Sequence, residues 1–249
     1  MIYDYMALTR PEICDIVAHG KAIAVLPIGS IEQHGPHLPL GTDSYTAAYY
    51  AKESLKKVQT DADFLVLPQL FYALSVEHIT YPTTISLKPE TLLNTLRDIG
   101  EALKHTGFKK LMIINGHGGN DHLLEVVARE IHKLGIQVFI GSYIAIAGAL
   151  GVDPLAVHAC KVETSIMMEI HPELVRHDKI TPELDKSAEK WLRLCECHSA
   201  VSEAWFAEEV AVDGVIGEPT KANLEIGREW VGKLTDEMAK GIAYMLEKN

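Results

Sequence analysis

The chain has 249 residues, 47% of them hydrophobic and 23% charged, with 23 Lys and Arg against 34 Asp and Glu for a formal net charge of −11. That length suits one large α/β domain or two small ones, and it is long enough to bury a sizeable core. The acidic balance and the absence of a basic stripe exclude nucleic acid as a partner. No apolar run approaches the ~20 residues of a membrane span, since the softest stretch, Ile136 to Leu150, is interrupted by Gly141, Ser142 and Gly148. The start, Met1-Ile-Tyr-Asp-Tyr-Met6, lacks the basic and apolar regions of a secretion signal, so a cytoplasmic location is expected.

In chain order, Ala22–Ile28 is a continuous apolar, β-branched run and reads as a buried strand. Ser44 to Val58 is helix-compatible. Phe64–Leu67 is a short strand stopped by Pro68. Pro89 to His105 reads as a helix, with Leu92, Leu93, Leu96, Ile99, Ala102 and Leu103 at helical spacing and Gly107 as its stop. Leu111–Ile114 is the next strand. Asn120 or Asp121 is expected to cap the following helix, which carries Leu123, Leu124, Val127, Ile131 and Leu134 and ends at Gly135. Ile136–Ile140 is again a strand. Beyond Gly151 the pattern gives a helix over Glu163–Ile170, a polar helix over Asp185–Cys197, a Gly-rich turn at Asp213–Pro219 and a closing amphipathic helix over Leu224–Leu246. Apolar strands alternating with helices predict a three-layer αβα fold around a mainly parallel sheet, in a single domain over residues 1–249.

The four cysteines, Cys14, Cys160, Cys195 and Cys197, make no disulfide framework, and Cys195-Glu-Cys197 is one residue short of the usual zinc spacing. The chemistry concentrates in loops that leave strands at their carboxyl ends, where parallel α/β sheets bind ligands. The first reads Gly29-Ser-Ile-Glu32-Gln-His34-Gly-Pro-His37-Leu-Pro-Leu-Gly-Thr-Asp43, and the second Asn115-Gly116-His117-Gly118-Gly119-Asn120-Asp121. Glu32 and His34 are two apart and point the same way on an extended segment. Carboxylates with imidazoles suit Zn, Mn or Fe(II), and Asp43 is the candidate to bridge two metals about 3.5–4 Å apart. Glycines around His117 allow the backbone to bend and approach a ligand, which makes Gly118 and Gly119 candidate substrate contacts. In the segment Val157 to Ser165, Glu163 is a candidate ligand and catalytic carboxylate, and His158 a candidate proton donor or acceptor. Ser75 and His78, in the loop after Phe64–Leu67, are candidate substrate contacts. His37 reads as a structural residue or one that orients a ligand.

The blocks GSIEQHGPHLPLGTD, NGHGGN and HACKVETS together resemble the creatininase family. The resemblance runs over blocks in order from residue 25 to about 170, with a weaker one at Asp213–Pro219. It implies an α/β fold, a centre of two divalent metals per chain, hydrolysis of an amide-like C–N bond in a small-molecule substrate, and a homo-oligomer, commonly a hexamer. It also implies Glu32, His34, Asp43 and His117 as metal ligands, Asp43 bridging, and His158 as the proton-shuttling histidine. One departure stands out. Creatininase carries a glutamate ligand two residues after the histidine of the second loop, and here that position is Gly119; Glu163 is the expected replacement. The chain therefore looks like the wider family and less like creatininase itself. Members of that wider family also deformylate formamides, process a small peptide precursor, or hydrolyse a ring C–C bond in oxidised inositols, so C–C hydrolysis of a cyclic diketone is the second expectation. A non-catalytic metal-binding protein is the third.

Overall fold

The structure is a computed structural model that describes residues 1–153, 155–181, 190–191 and 203–248. Apart from Lys190 and Trp191, the polar helix expected over Asp185–Cys197 lies outside the described residues, as does the pair Cys195 and Cys197.

Strands β1 (Ile2–Asp4), β2 (Ala22–Ile28), β3 (Asp63–Val66), β4 (Lys110–Asn115) and β5 (Gln137–Ser142) form one parallel sheet in the order β1-β3-β2-β4-β5. The central strand β2 is buried along its whole length. Its side chains alternate between two apolar layers. Ala24, Leu26 and Ile28 face one with Leu65, Leu111 and Ile113, and Ile23 and Val25 face the other with Phe64, Met112 and Ile114. That period of two is what a strand covered on both faces produces.

The first layer is closed by α1 (Arg10–Ala18), α3 (Pro89–Thr106) and α4 (Asp121–Lys133) through Ile13, Leu92, Leu96, Leu103, Leu124, Val127 and Ile131. The second is closed by α2 (Thr42–Lys56), α5 (Tyr143–Ala149), α6 (Lys161–Ile170) and α8 (Leu224–Glu247), with a short α7 (Ala207–Val210) near the site. The result is the expected αβα sandwich. Helix α3 shows why the sequence stops where it does: Pro89 opens it where no amide partner is needed, and Gly107 at φ 104 closes it in the left-handed region.

Three details differ from the sequence expectation. Strand β1 and helix α1 were not anticipated. β1 has three residues, too few for any periodicity, although Thr9 and Glu12 do form a capping box ahead of α1. Asp43 lies in the first turn of α2 and not in the preceding loop. Asn120 occupies the position before α4 but its side chain makes no cap bond there. It accepts from the Leu74 backbone N–H at 3.0 Å and donates to the Gly29 carbonyl at 3.0 Å, tying together the loops that leave β2, β3 and β4.

Candidate metal centre

The register pairs Ile28 with Asn115, so the carboxyl ends of β2 and β4 open side by side and their loops leave toward the same place. The two loops meet closely: a Cβ on Gly116 would sit 2.3 Å from the Asp43 carbonyl oxygen, so no larger residue fits there. Glu32, His34, Asp43 and His117 converge in this crevice with exposures of 0%, 0%, 2% and 5%. Glu32, His34 and Asp43 offer donor atoms that all lie within 4.8 Å of one another. Glu32 and His34 thus reach one cluster, as their spacing predicts.

His34 Nδ1 lies 3.2 Å from the Glu32 carbonyl and donates its proton there. Its Nε2 faces Asp43 Oδ1 at 3.4 Å and Glu163 Oε1 at 3.6 Å, and against the effect of burial these carboxylates hold the ring well above the usual histidine range. His117 Nδ1 lies 3.2 Å from Asp43 Oδ2, and its Nε2 lies 3.3 Å from Glu32 Oε2. Asp43 stands between the two histidines, one oxygen toward each, and Ser30 donates its hydroxyl to Oδ2. This is the placement a bridging carboxylate needs.

Glu163 enters from the first turn of α6. Its Oε2 accepts from the Ala159 N–H at 2.6 Å and its Oε1 from the Tyr143 hydroxyl at 3.2 Å, which aims the carboxylate at His34. It joins the cluster on the His34 side, away from Gly119. The room beside Gly119 is filled instead by Glu77: a Cβ at Gly119 would lie 2.3 Å from Glu77 Oε1. The expected replacement of the missing glutamate by Glu163 is therefore not what the geometry shows. Gly118 is the opposite case, since the nearest atom to a Cβ there is Ile144 Cγ2 at 3.9 Å. A side chain at Gly118 would meet only ordinary contact with Ile144, whereas one at Gly119 would collide with Glu77 and His117.

Gln33 was passed over in the sequence, yet it orders the histidines. Its Oε1 accepts from the Gly35 N–H at 2.9 Å and its Nε2 donates to the Gly214 carbonyl at 3.0 Å, which fixes the amide. The same Nε2 lies 2.9 Å from His78 Nδ1, so that nitrogen accepts and His78 carries its proton on Nε2, directed at Glu32 Oε1 at 3.5 Å. His78 is 2% exposed and Ser75 0% exposed. Both expected substrate contacts are buried beside Glu32. There the His78 Nε2–H is directed at the carboxylate. His158 donates through Nε2 to the Gln33 carbonyl at 2.7 Å, leaving Nδ1 as an acceptor 3.7 Å from Glu32 Oε1. Burial and the nearby His34 push the His158 ring down to about 4, so it is uncharged at neutral pH. His37 is buried and its Nε2 shares a hydrogen bond with Thr164 at 2.8 Å, in keeping with its reading as a structural residue. The missed residues Gln33 and Glu77 carried one usable signal, their place between or beside the histidines of the motif blocks.

The donor set fits divalent cations. Both Glu32 oxygens, His34 Nε2 and His117 Nε2 are buried and make no hydrogen bond. Buried acceptors without donors are costly unless a cation satisfies them. Burial pushes the Glu32 carboxyl up to about 8; His117 pulls it down, and the neighbouring Asp43 adds to the rise. A carboxylate so placed is held ready for positive charge.

Comparison with known proteins places this arrangement. Residues 6–242 match the Creatininase family, described as creatinine amidohydrolase. The mycofactocin precursor peptide peptidase of Mycobacterium ulcerans is 31% identical over 88% of this chain and 84% of its own length. The 3-dehydro-scyllo-inosose hydrolase of Thermotoga maritima is 25% identical over 94% of this chain and 79% of its own. Creatinine amidohydrolase of Pseudomonas putida is 29% identical over 66% of this chain and 70% of its own. A solved structure named as creatininase with Mn superposes with a TM-score of 0.79 at 23% identity, covering 100% of both chains, and shows the same fold. The chain belongs to the creatininase family, as a member distinct from creatininase proper.

Proposed function

We propose that this creatininase-family hydrolase cleaves an amide-like C–N bond, a cyclic amide or a formamide, in a small-molecule substrate, using two divalent metals (Zn, Mn or Fe(II)) per chain. The observation that supports this most is the set of buried, unpartnered acceptors on Glu32, His34 and His117 around Asp43. Glu32, His34, Asp43, His117 and Glu163 would hold the metals. When bound, they would polarise a carbonyl oxygen and lower the pKa of a water.

The chain supplies the proton traffic. The Nε2–H of His158 is committed to the Gln33 carbonyl, so only Nδ1 is free to act. As an uncharged base it takes a proton from the attacking water at Nδ1 and returns it to the leaving nitrogen. Gln33 keeps both His158 and His78 in the tautomers this requires. Relatives that act on a peptide precursor and on creatinine, by their names, support the C–N reading.

The inosose hydrolase relative favours a second reading, hydrolysis of a C–C bond in a cyclic diketone, because the chain's own groups would serve that reaction equally. A panel of lactams, formamides, short peptides and cyclic diketones, run alongside elemental analysis of wild type and His117→Ala, tests both. Release of amine, ammonia or formate supports C–N cleavage, and turnover of the diketone alone supports the second reading. Full metal content and activity in His117→Ala would overturn both.

A further inference from the structure

We infer that Glu77 is a metal ligand, completing with Glu32 and His117 the half of the centre that lies beside Gly119. This rests on the metal-dependent reading above and extends it to a residue outside the motif blocks. Glu77 sits in the short turn Val76–His78, in the loop that leaves β3. Its Oε1 lies 3.2 Å from His117 Nε2, the same nitrogen that faces Glu32 Oε2 at 3.3 Å. Donor atoms of Glu32, Glu77 and His117 all lie within 4.8 Å of one another.

The geometry of this triangle suits a divalent cation. With a metal bound, His117 would keep one proton, on Nδ1 toward Asp43, and turn a lone pair on Nε2 toward the site shared by two carboxylates. Two carboxylate oxygens and an imidazole lone pair are all acceptors, and His117 Nε2 and both Glu32 oxygens make no hydrogen bond. A divalent cation between them satisfies all three at once. The bare Cα of Gly119 makes this possible. Any side chain there would start 2.3 Å from Glu77 Oε1 and 2.4 Å from His117 Nε2, in the space the carboxylate now uses. The competing arrangement is a doubly protonated His117 that donates to Asp43 and to the two glutamates with no metal present.

Two consequences are specific to the ligand role. Glu77 is the most open member of the triangle, its side chain 22% exposed against 0% for Glu32 and 6% for His117. It is also the member that belongs to the loop after β3. A cation bound by Glu77 would tie that loop to the loops of β2 and β4.

The test uses the full-length protein as wild type, Glu77→Gln and Glu77→Ala. Glu77→Gln keeps the shape and removes the charge, and far-UV circular dichroism checks that each variant folds. Each is stripped, titrated with Mn²⁺ or Zn²⁺ by calorimetry, and followed by hydrogen exchange with and without metal. The expected result is two metals in wild type, with one site weakened at least about tenfold in both variants. Metal should also protect residues 70–80 in wild type and leave them unprotected in the variants. Two sites of wild-type affinity in Glu77→Gln would overturn the ligand role, whatever happens to activity. Wild type that binds no metal would overturn the functional reading as well, whereas two metals bound with wild-type affinity in the variants would overturn this inference alone.

Discussion

Strand β2 and the loop that leaves it are equally closed to solvent and opposite in chemistry. Leu26 and Ile28 are 1% and 0% exposed, and so are the polar Glu32 and His34 a few residues on, both at 0%. The strand residues are held by apolar contact on both faces and by ladder bonds to β3 and β4. The loop residues present acceptors to one another and gain nothing from burial until a cation arrives. Low exposure therefore marks two different things along this chain. In β2 it stabilises the fold; in the loop it costs stability and prepares a site.

The difference can be broken open by measurement. Leu26→Ala should cost about 2–5 kcal/mol, read as a fall in the midpoint of urea unfolding, and should leave metal stoichiometry unchanged. Chelation of the metal from wild type should remove roughly 3–4 kcal/mol, a fall in Tm of roughly 5–15 °C; an unchanged Tm would mean the buried acceptors are satisfied without a cation. Gln33→Ala should lower kcat about 10–100-fold with both metals retained, because His78 loses the amide that sets its tautomer, while His158 keeps the backbone carbonyl of residue 33. Glu32→Gln should abolish tight metal binding, yet leave the metal-free protein about as stable as wild type, since burial already pushes the carboxyl up to about 8 and the neutral amide keeps its shape.

The smallest effect concerns pH. Burial pushes His37 down to about 4, with Glu163 pulling it up and His34 adding to the fall. An unfolded histidine binds its proton near pH 6.5, so the unfolded state holds more protons between there and about 4. Stability should fall as pH drops through that window. His37→Asn should flatten the acid limb of a pH–Tm profile in the metal-free protein. An unchanged limb would show that the ring titrates normally.

Strands β2 to β5 were legible because each carries an apolar run, and helices such as α3 because of their spacing and stops, as at Pro89 and Gly107. Glu32, His34, Asp43, His117 and Glu163 were legible because they sit in unusual blocks at strand ends. The structure brings all five together. Glu77 was not legible, although its neighbours Ser75 and His78 were noticed. A turn of three residues has no period, and the reason for a carboxylate there lies 42 positions away at Gly119, where a missing side chain makes room. Gln33 was hidden by strand logic. Alternation puts it opposite Glu32 and His34, but the loop is irregular and returns its amide to His78 and its backbone carbonyl to His158.

The Asn120 side chain joins backbone groups 46 and 91 residues away in sequence, at Leu74 and Gly29. Neither bond can close until β2, β3 and β4 are already neighbours. The crevice is thus assembled late in folding, after most of the chain entropy has been spent. A cation that binds only the finished crevice contributes little to the transition state. Adding metal should therefore leave the refolding rate almost untouched and slow unfolding, so that the holoprotein is protected mainly by its lifetime.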